Sequence, residues 1–405
     1  MSSAASDADA RHACQTLVAT SPCGAHVARA GVDANVRRWD PVEQNAFADD
    51  RRWTRVDAFA RALVRGEARL GDLGRGVAEA SVSGVPASEN DADGGRRTFA
   101  FRCRYRGTAF SGYAWHGASD AMDAEWTYGN GSVSAALQRA LRSVTDKATR
   151  PTPSAGRTDR GVSAAASCVS FWTKRQDVTS EDIERLVNEE SAPGRAGVLH
   201  ISETRVVPRS FHATFAAKRR RYVYLLPKRQ AFRETRTPRA ELDAATMNRI
   251  LQPLAQMEGA IDMYAYARGT PPGRSSEVNF HVARAFEARL PEARGDAAID
   301  DDVAAGLRRS RGRERAQSEA SSHTNDDVDD DDDADDGEVI VIELEADRFL
   351  RKLVRCLVAT AAREAAGPPA SDDALVRIAL ARDRRLAAPP APALGLIFAS
   401  VSYED

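Results

Sequence analysis

Residues 154–164 read Ser154-Ala155-Gly156-Arg157-Thr158-Asp159-Arg160-Gly161-Val162-Ser163-Ala164. The stretch sets one carboxylate between two arginines, in a loop bounded by glycines. Neighbouring cations favour the ionised form of an acid, which keeps Asp159 available as a nucleophile or base. Glycine admits turn angles and lets a ligand backbone come close. Val162 to Trp172, rich in small residues and ending in aromatics, reads as the strand that this loop enters. By itself the loop is equally an ordinary surface salt bridge, so its surroundings must decide.

Those surroundings mix strands and helices. In 98–106, Phe99, Phe101, Cys103 and Tyr105 alternate with Ala100, Arg102, Arg104 and Arg106, a period of two that predicts a strand with one basic face. Ser132 precedes a helical stripe of Val133, Ala136, Leu137, Ala140, Leu141 and Val144. Thr179 with Asp182 forms a capping box ahead of Ile183, Leu186 and Val187. Strands are expected at 197–207 and 214–226. In the second half Asp243 caps a helix carrying Met247, Ile250, Leu251, Leu254 and Met257, followed by a strand over 278–289. Glu338–Leu344 reads as a strand, Arg348–Ala366 as a long helix behind Asp347, Ser371–Arg382 as another, and Leu394–Tyr403 as a closing strand. Strict βαβ alternation is missing, so the expected class is α+β. The expected divisions are an N-terminal extension over 1–97, a subdomain over 98–211 that bears the Asp159 loop, and a second over 212–405. The polar stretch 291–337 interrupts that second subdomain and is expected to be disordered, because it cannot bury enough apolar surface to offset its ordering entropy.

Composition narrows the function classes. The chain has 405 residues, 42% of them hydrophobic and 29% charged, with a mean hydropathy of −0.45. No apolar run approaches the roughly 20 residues that span a bilayer, so no membrane crossing is expected. The formal charge of −2 conceals nine aspartates within 326–336; without them the remainder carries +7. A basic, arginine-rich body suits a polyanion, since the guanidinium fork donates two parallel hydrogen bonds to phosphate. The five cysteines, Cys14, Cys23, Cys103, Cys168 and Cys356, match neither a disulfide framework nor a zinc pattern. They predict free thiols in a reducing, intracellular compartment. The start of the extension is rich in Ala and Ser and free of acids from Ala10 to Gly31, as organellar transit peptides are, although Asp7 and Asp9 break that pattern. A plastid or mitochondrial address is one expectation, cytoplasm or nucleus the other. Within 53–66, Val56, Phe59, Ala60, Leu63 and Val64 predict one amphipathic helix ending at Gly66.

Three further blocks share the order and character of a known set. Tyr105-Arg106-Gly107-Thr108-Ala109-Phe110-Ser111-Gly112-Tyr113 lies upstream of the Asp159 loop. Downstream come Phe211-His212-Ala213-Thr214-Phe215-Ala216-Ala217-Lys218-Arg219-Arg220-Arg221-Tyr222-Val223-Tyr224 and Phe349-Leu350-Arg351-Lys352-Leu353-Val354-Arg355. Together with the Gly-Arg-Thr-Asp loop they resemble the signature blocks of the TruA family of tRNA pseudouridine synthases, over about 98–405 without the insertion. The resemblance implies a pseudouridine-synthase-like fold of two mixed domains around a basic cleft. It implies isomerisation of uridine in tRNA, in the anticodon stem-loop, with neither cofactor nor metal, by a homodimer. Asp159 would be the catalytic acid. Arg157 would help extrude and hold the nucleotide, Tyr222 would stack on the flipped uracil, and Arg355 would pair with Asp159. A base inside a stem is unreachable until flipped out, at a cost of a few kcal/mol that an aromatic face partly recovers. Arg104, Arg106, Arg160, Lys218 and Arg220 are the expected contacts to RNA. Tyr224, on the same strand face as Tyr222, is as well explained by packing.

Several positions depart from the family pattern. Ser163 stands where bacterial members carry His, Arg106 replaces the customary Asp, and Tyr113 the customary Trp, with Trp115 two residues on. Glu277-Val278-Asn279-Phe280 lacks an arginine often found there. Two rivals remain: an RNA-binding protein that kept the fold and lost turnover, and a hydrolase that releases free uracil.

Overall fold

The computed structural model describes residues 51–87 (except 52, 75 and 78), 95–115, 125–145, 153–228, 242–291 (except 271 and 272), 337–366 and 371–404. The transit-peptide-like start of the extension, Cys14, Cys23 and nearly all of the acidic stretch lie outside these residues. The first elements are helix α1 (Thr54–Arg65) and strands β1 (Val82–Ser83) and β2 (Arg97–Tyr105). After α2 (Val133–Ala140) come β3 (Ser163–Thr173), α3 (Ser180–Arg185), α4 (Ala192–Arg195), β4 (Leu199–Val207) and β5 (Arg219–Pro227). The second half runs α5 (Ala244–Gln256), the short pair β6 (Ile261–Asp262) and β7 (Glu277–Val278), β8 (Phe280–Arg289) and β9 (Glu338–Ala346). Helices α6 (Leu353–Ala365) and α7 (Ala374–Ala381) and strand β10 (Leu396–Ser402) complete it.

The long strands form one sheet in the order β4-β2-β3-β10-β5-β9-β8, with β1 added beside β10. All neighbours run antiparallel except β10 against β3 and β1 against β10. This mixture of helices with a mostly antiparallel sheet is the expected α+β class. β10, from the C-terminal end, is the seam that joins strands of both halves.

Period two assigns the two sheet faces. On one face Tyr222, Tyr224, Leu226, Ile342, Leu344 and Phe398 pack with α2, α5, α6 and α7 in the main core. On the other, Val223, Leu225, Val339, Val341, Ile397 and Ala399 meet Val56, Phe59 and Leu63 of α1, then Leu70, Leu73 and Val77. Burying each such large side chain contributes about 1.5–3 kcal/mol. The helix expected at 53–66 is therefore present, ended by Gly66 at φ 76°. It is no appended extension, however: residues between 56 and 77 cover one face of the sheet, and β1 joins the sheet itself.

Local capping follows the sequence at Ser132, Thr179 and Asp243, each of which accepts hydrogen bonds from its helix's first turn. Two elements start five residues later than their patterns suggested. The strand expected from 214 begins at Arg219, because His212 Nδ1 accepts the backbone N–H groups of Thr214 (3.2 Å) and Phe215 (3.4 Å) and curls 212–216 into a turn. Helix α6 begins at Leu353 rather than Arg348, because Asp347 accepts from the Asn279 N–H (3.0 Å) and Lys352 sits at φ 63°.

β8 and β9 are a hairpin interrupted by the acidic stretch: Arg289 pairs with Glu338, and the Leu290 N–H donates to the Gly337 carbonyl at 2.9 Å. Replacing 292–336 with an Asn-Gly turn is expected to leave the protein folded. Loop-closure entropy favours the shorter connection by about 0.6 kcal/mol per halving of length. Urea unfolding of the shortened protein checks this, and insoluble protein or a lower midpoint would refute it.

Candidate active site

The strand order gathers residues from four distant segments. Phe398 of β10 pairs with Ala164 of β3 on one side and with Tyr222 of β5 on the other. The loop that enters β3 is thereby placed beside Tyr222, and α6 packs against the same sheet face.

The loop is held from both ends. At its start the Ser154 hydroxyl donates to the Gly156 carbonyl (2.9 Å), and the Thr214 hydroxyl donates to the Ser154 carbonyl (2.6 Å). In its middle the Thr158 and Tyr105 hydroxyls share a hydrogen bond of 2.8 Å, and the Tyr113 N–H donates to the Thr158 carbonyl at 3.1 Å. At its end the Val162 N–H closes a turn on the Asp159 carbonyl (3.2 Å) across Gly161, whose φ of 83° favours glycine. Gly156 is needed for space: a Cβ there would stand 2.7 Å from the Phe398 ring and 3.3 Å from the Tyr222 hydroxyl. Ser163 accepts the Gly107 N–H (2.9 Å) and ties the Tyr105–Tyr113 block to the loop.

Asp159 lies 3.2 Å from Arg355 through Oδ2 and Nη1, with side-chain exposures of 28% and 15%. The carboxylate is neither lost in bulk solvent nor sealed, so a ligand can reach it. Arg355 is aimed by a second bond, from Nε to the Ala391 carbonyl (2.6 Å), while its own carbonyl accepts the Ala391 N–H. Tyr222 makes T-shaped contacts with Phe349 and Phe398, both with ring centroids 4.9 Å away. Burial pushes the Tyr222 phenol above its usual range; the Arg220 cation opposes this and the Asp159 carboxylate adds to it. Tyr222 is therefore a neutral phenol at physiological pH. Tyr224 is core: fully buried, with its hydroxyl donated to the Pro392 carbonyl (2.9 Å).

Arg157 and Arg160 are exposed on the loop, and Lys218 is exposed ahead of β5. Three other expected RNA contacts are engaged within the protein. Arg104 lies on the α1 face, donating to the Leu63 carbonyl (3.3 Å) and bonded to His200. Arg106 is 4% exposed and forms a bidentate ion pair with Asp57 of α1. Arg220 spends its donors on the carbonyls of Ala155, Thr214, Ala217 and Asp347. Arg219 and Arg221, alternating with it, bind Glu343 and Glu345 on the α1 face. The basic run 218–221 thus clips strands and loops together, while the Lys218 and Arg219 side chains stay largely exposed. A sequence shows the cations of such a run but not the carbonyls and carboxylates that later absorb them.

Phe398, Phe349 and the Ala391 backbone are site components that sequence reasoning gave no role. Phe398 follows Leu396 at the strand period, which puts it on the core face, yet nothing local to it marks a site. Among the described residues no group of three or more His, Cys, Asp or Glu is placed to hold a metal ion, and no helix is long and apolar enough to cross a membrane.

An accessible carboxylate held by an arginine beside an aromatic wall defines a class of site, one that can take a flat, uncharged ring next to a negative charge. No protein-family model matches the chain. It is, however, similar to proteins named tRNA pseudouridine synthase A. With that of Chloroflexus aurantiacus it shares 27% identity over 312 residues, 76% of this chain and 89% of the relative. With that of Rhodospirillum centenum it shares 27% over 272 residues, 67% and 90% of the two chains. The protein of Stenotrophomonas maltophilia is 26% identical over 307 residues, 76% and 95%.

Proposed function

We propose that this protein is a tRNA pseudouridine synthase of the TruA family: an isomerase that converts uridine to pseudouridine in tRNA, in the anticodon stem-loop. The observation that carries the reading is Asp159, 3.2 Å from Arg355 and beside Tyr222, in a Gly-Arg-Thr-Asp loop. The similarity to synthases across most of the chain supports it.

The reaction breaks the N1–C1′ bond of uridine, turns the uracil, and joins C5 to the same sugar carbon, with the C5 proton released and N1 protonated. Nothing is oxidised or reduced. Asp159 supplies negative charge that stabilises or captures the electron-poor C1′, as the carboxylate of a retaining glycosidase does. Arg355 binds one carboxylate oxygen, which fixes the rotamer and leaves the other oxygen for the substrate. Tyr222 offers its ring to the flipped uracil, and Arg157 at the loop surface holds the extruded nucleotide by its phosphate. Arg160 and Lys218 contribute cations to the backbone of the RNA. The enzyme acts as a homodimer, as the resemblance implies.

Unmodified tRNA transcript incubated with the full chain and digested to nucleosides tests this. Pseudouridine in the digest, at the expense of uridine, is the expected product. Free uracil would make the protein a hydrolase instead, and tight binding without either product would make it a binding module.

A further inference from the structure

Phe215 is 85% exposed, while Phe211, four residues earlier in the same segment, is buried. A lone exposed apolar side chain is ordinary. This one differs in being paired and immobilised. Its ring lies over the His212 imidazole, with centroids 4.3 Å apart and planes 27° from parallel. The two backbone N–H groups aimed at Nδ1 require that nitrogen to be unprotonated, so the imidazole beneath the ring is fixed in orientation. Partial burial accordingly lowers its pKa.

The turn below the ring pair is anchored on four sides. The Ala213 N–H donates to Ser170 Oγ (3.1 Å), its carbonyl accepts the Tyr403 hydroxyl (2.9 Å), and the Thr214 carbonyl accepts from Arg220 (2.8 Å). The fourth anchor, from the Thr214 hydroxyl to the Ser154 carbonyl (2.6 Å), joins this turn to the loop that carries Asp159. Exposed Lys218 follows three residues later in the chain, and exposed Arg157 lies on the joined loop. An anchored, solvent-facing ring on a segment that also carries cations suits an unpaired nucleobase. Every base offers a π-face to stack, and the adjoining phosphate needs a cation.

We propose that Phe215, seated on His212, is a stacking platform for an unpaired base of the RNA, distinct from the uridine that reaches Asp159. The platform rests on the reading of the protein as an RNA enzyme. It holds a neighbouring nucleotide and so registers the strand against the Asp159 loop.

The test uses the full chain, an anticodon stem-loop RNA with 2-aminopurine placed in turn at each loop position, and the variants Phe215→Ala, Phe215→Leu and Phe215→Trp. One loop position is expected to lose fluorescence on binding wild type and Phe215→Trp, and to stay bright with Phe215→Ala and Phe215→Leu. Phe215→Ala should weaken RNA affinity and raise KM about tenfold, with saturated kcat unchanged. Equal affinity and KM for Phe215→Ala would overturn the platform, as would full function of Phe215→Leu, which keeps apolar bulk without a ring. A loss of self-association in Phe215→Ala with RNA affinity intact would likewise overturn it, in favour of a protein interface. The two readings fail separately. A wild type that makes no pseudouridine but loses RNA affinity in Phe215→Ala keeps the platform and loses the enzyme. An active wild type that is indifferent to Phe215 does the reverse.

Discussion

Asp159→Asn is expected to abolish pseudouridine formation while leaving RNA binding and the fold in place. The amide keeps the shape of the side chain and one oxygen for Arg355, 3.2 Å away in the parent, but carries no charge to place against the sugar carbon. Positioned acid–base groups contribute about 10²–10⁴-fold to a rate, and a group that stabilises a developing cation directly should reach at least the upper end of that range. Single-turnover assays on tRNA transcript measure the loss, and a filter-binding or fluorescence titration shows whether affinity survives. Retention of more than about a tenth of the wild-type rate would remove Asp159 from the chemistry. Arg355→Lys separates the two members of the pair: it keeps the cation but not the fork that holds both Asp159 and the Ala391 carbonyl (2.6 Å). Its loss should appear in kcat rather than in KM.

The largest effect on stability is expected from Asp57→Asn. Asp57 and Arg106 are 5% and 4% exposed, joined by two hydrogen bonds, with the Thr108 hydroxyl on the same carboxylate at 3.2 Å. Removing one partner of a buried pair leaves an uncompensated charge and costs about 3–5 kcal/mol. At roughly 2–4 °C per kcal/mol for domains somewhat smaller than this one, Tm should fall by about 10 °C. The damage extends towards the site. Gly107, next to Arg106, packs on the Val162 backbone with no room for a Cβ, and a Cβ at Gly112 would stand 3.2 Å from the Thr158 carbonyl. Arg106→Gln should cost a comparable amount. The double variant Asp57→Leu with Arg106→Met should recover most of the loss, because replacing both charges with apolar groups of similar size is often neutral or stabilising. Thermal and urea unfolding of wild type and the three variants measures these differences. If Asp57→Asn stays within about 0.5 kcal/mol of wild type, α1 is not locked to this loop by charge.

This pair also bears on a departure from the pattern that the sequence resembles. Arg106 stands where that pattern has Asp, and Asp57 of α1, 49 residues upstream, supplies a carboxylate to it. A reading confined to residues 98–405 could see the changed charge but not its partner. The same limit hid the internal partners of Arg104, Arg106 and Arg220. Each is a cation in a basic run, and each is engaged by groups 41, 49 and 65 positions away in sequence. Charge is a property of the residue, whereas its availability is a property of the packing.

What the amino-acid order determined by itself is everything governed by near neighbours. The stripe of α1 and its stop at Gly66, the caps at Ser132, Thr179 and Asp243, the alternation of β2 and the glycine-bounded Asp159 loop all follow from groups within a few residues of one another. The tertiary structure alone decided which cations remain exposed, which aromatics wall the site, and that the N-terminal helix belongs to the body. Only the strand order β3-β10-β5 brings Phe398 between Ala164 and Tyr222, and only the packing of α6 brings Arg355 across 196 positions to Asp159. Hydrogen-bond partners and buried neighbours at such separations are chosen by the sheet's topology, which no local pattern encodes.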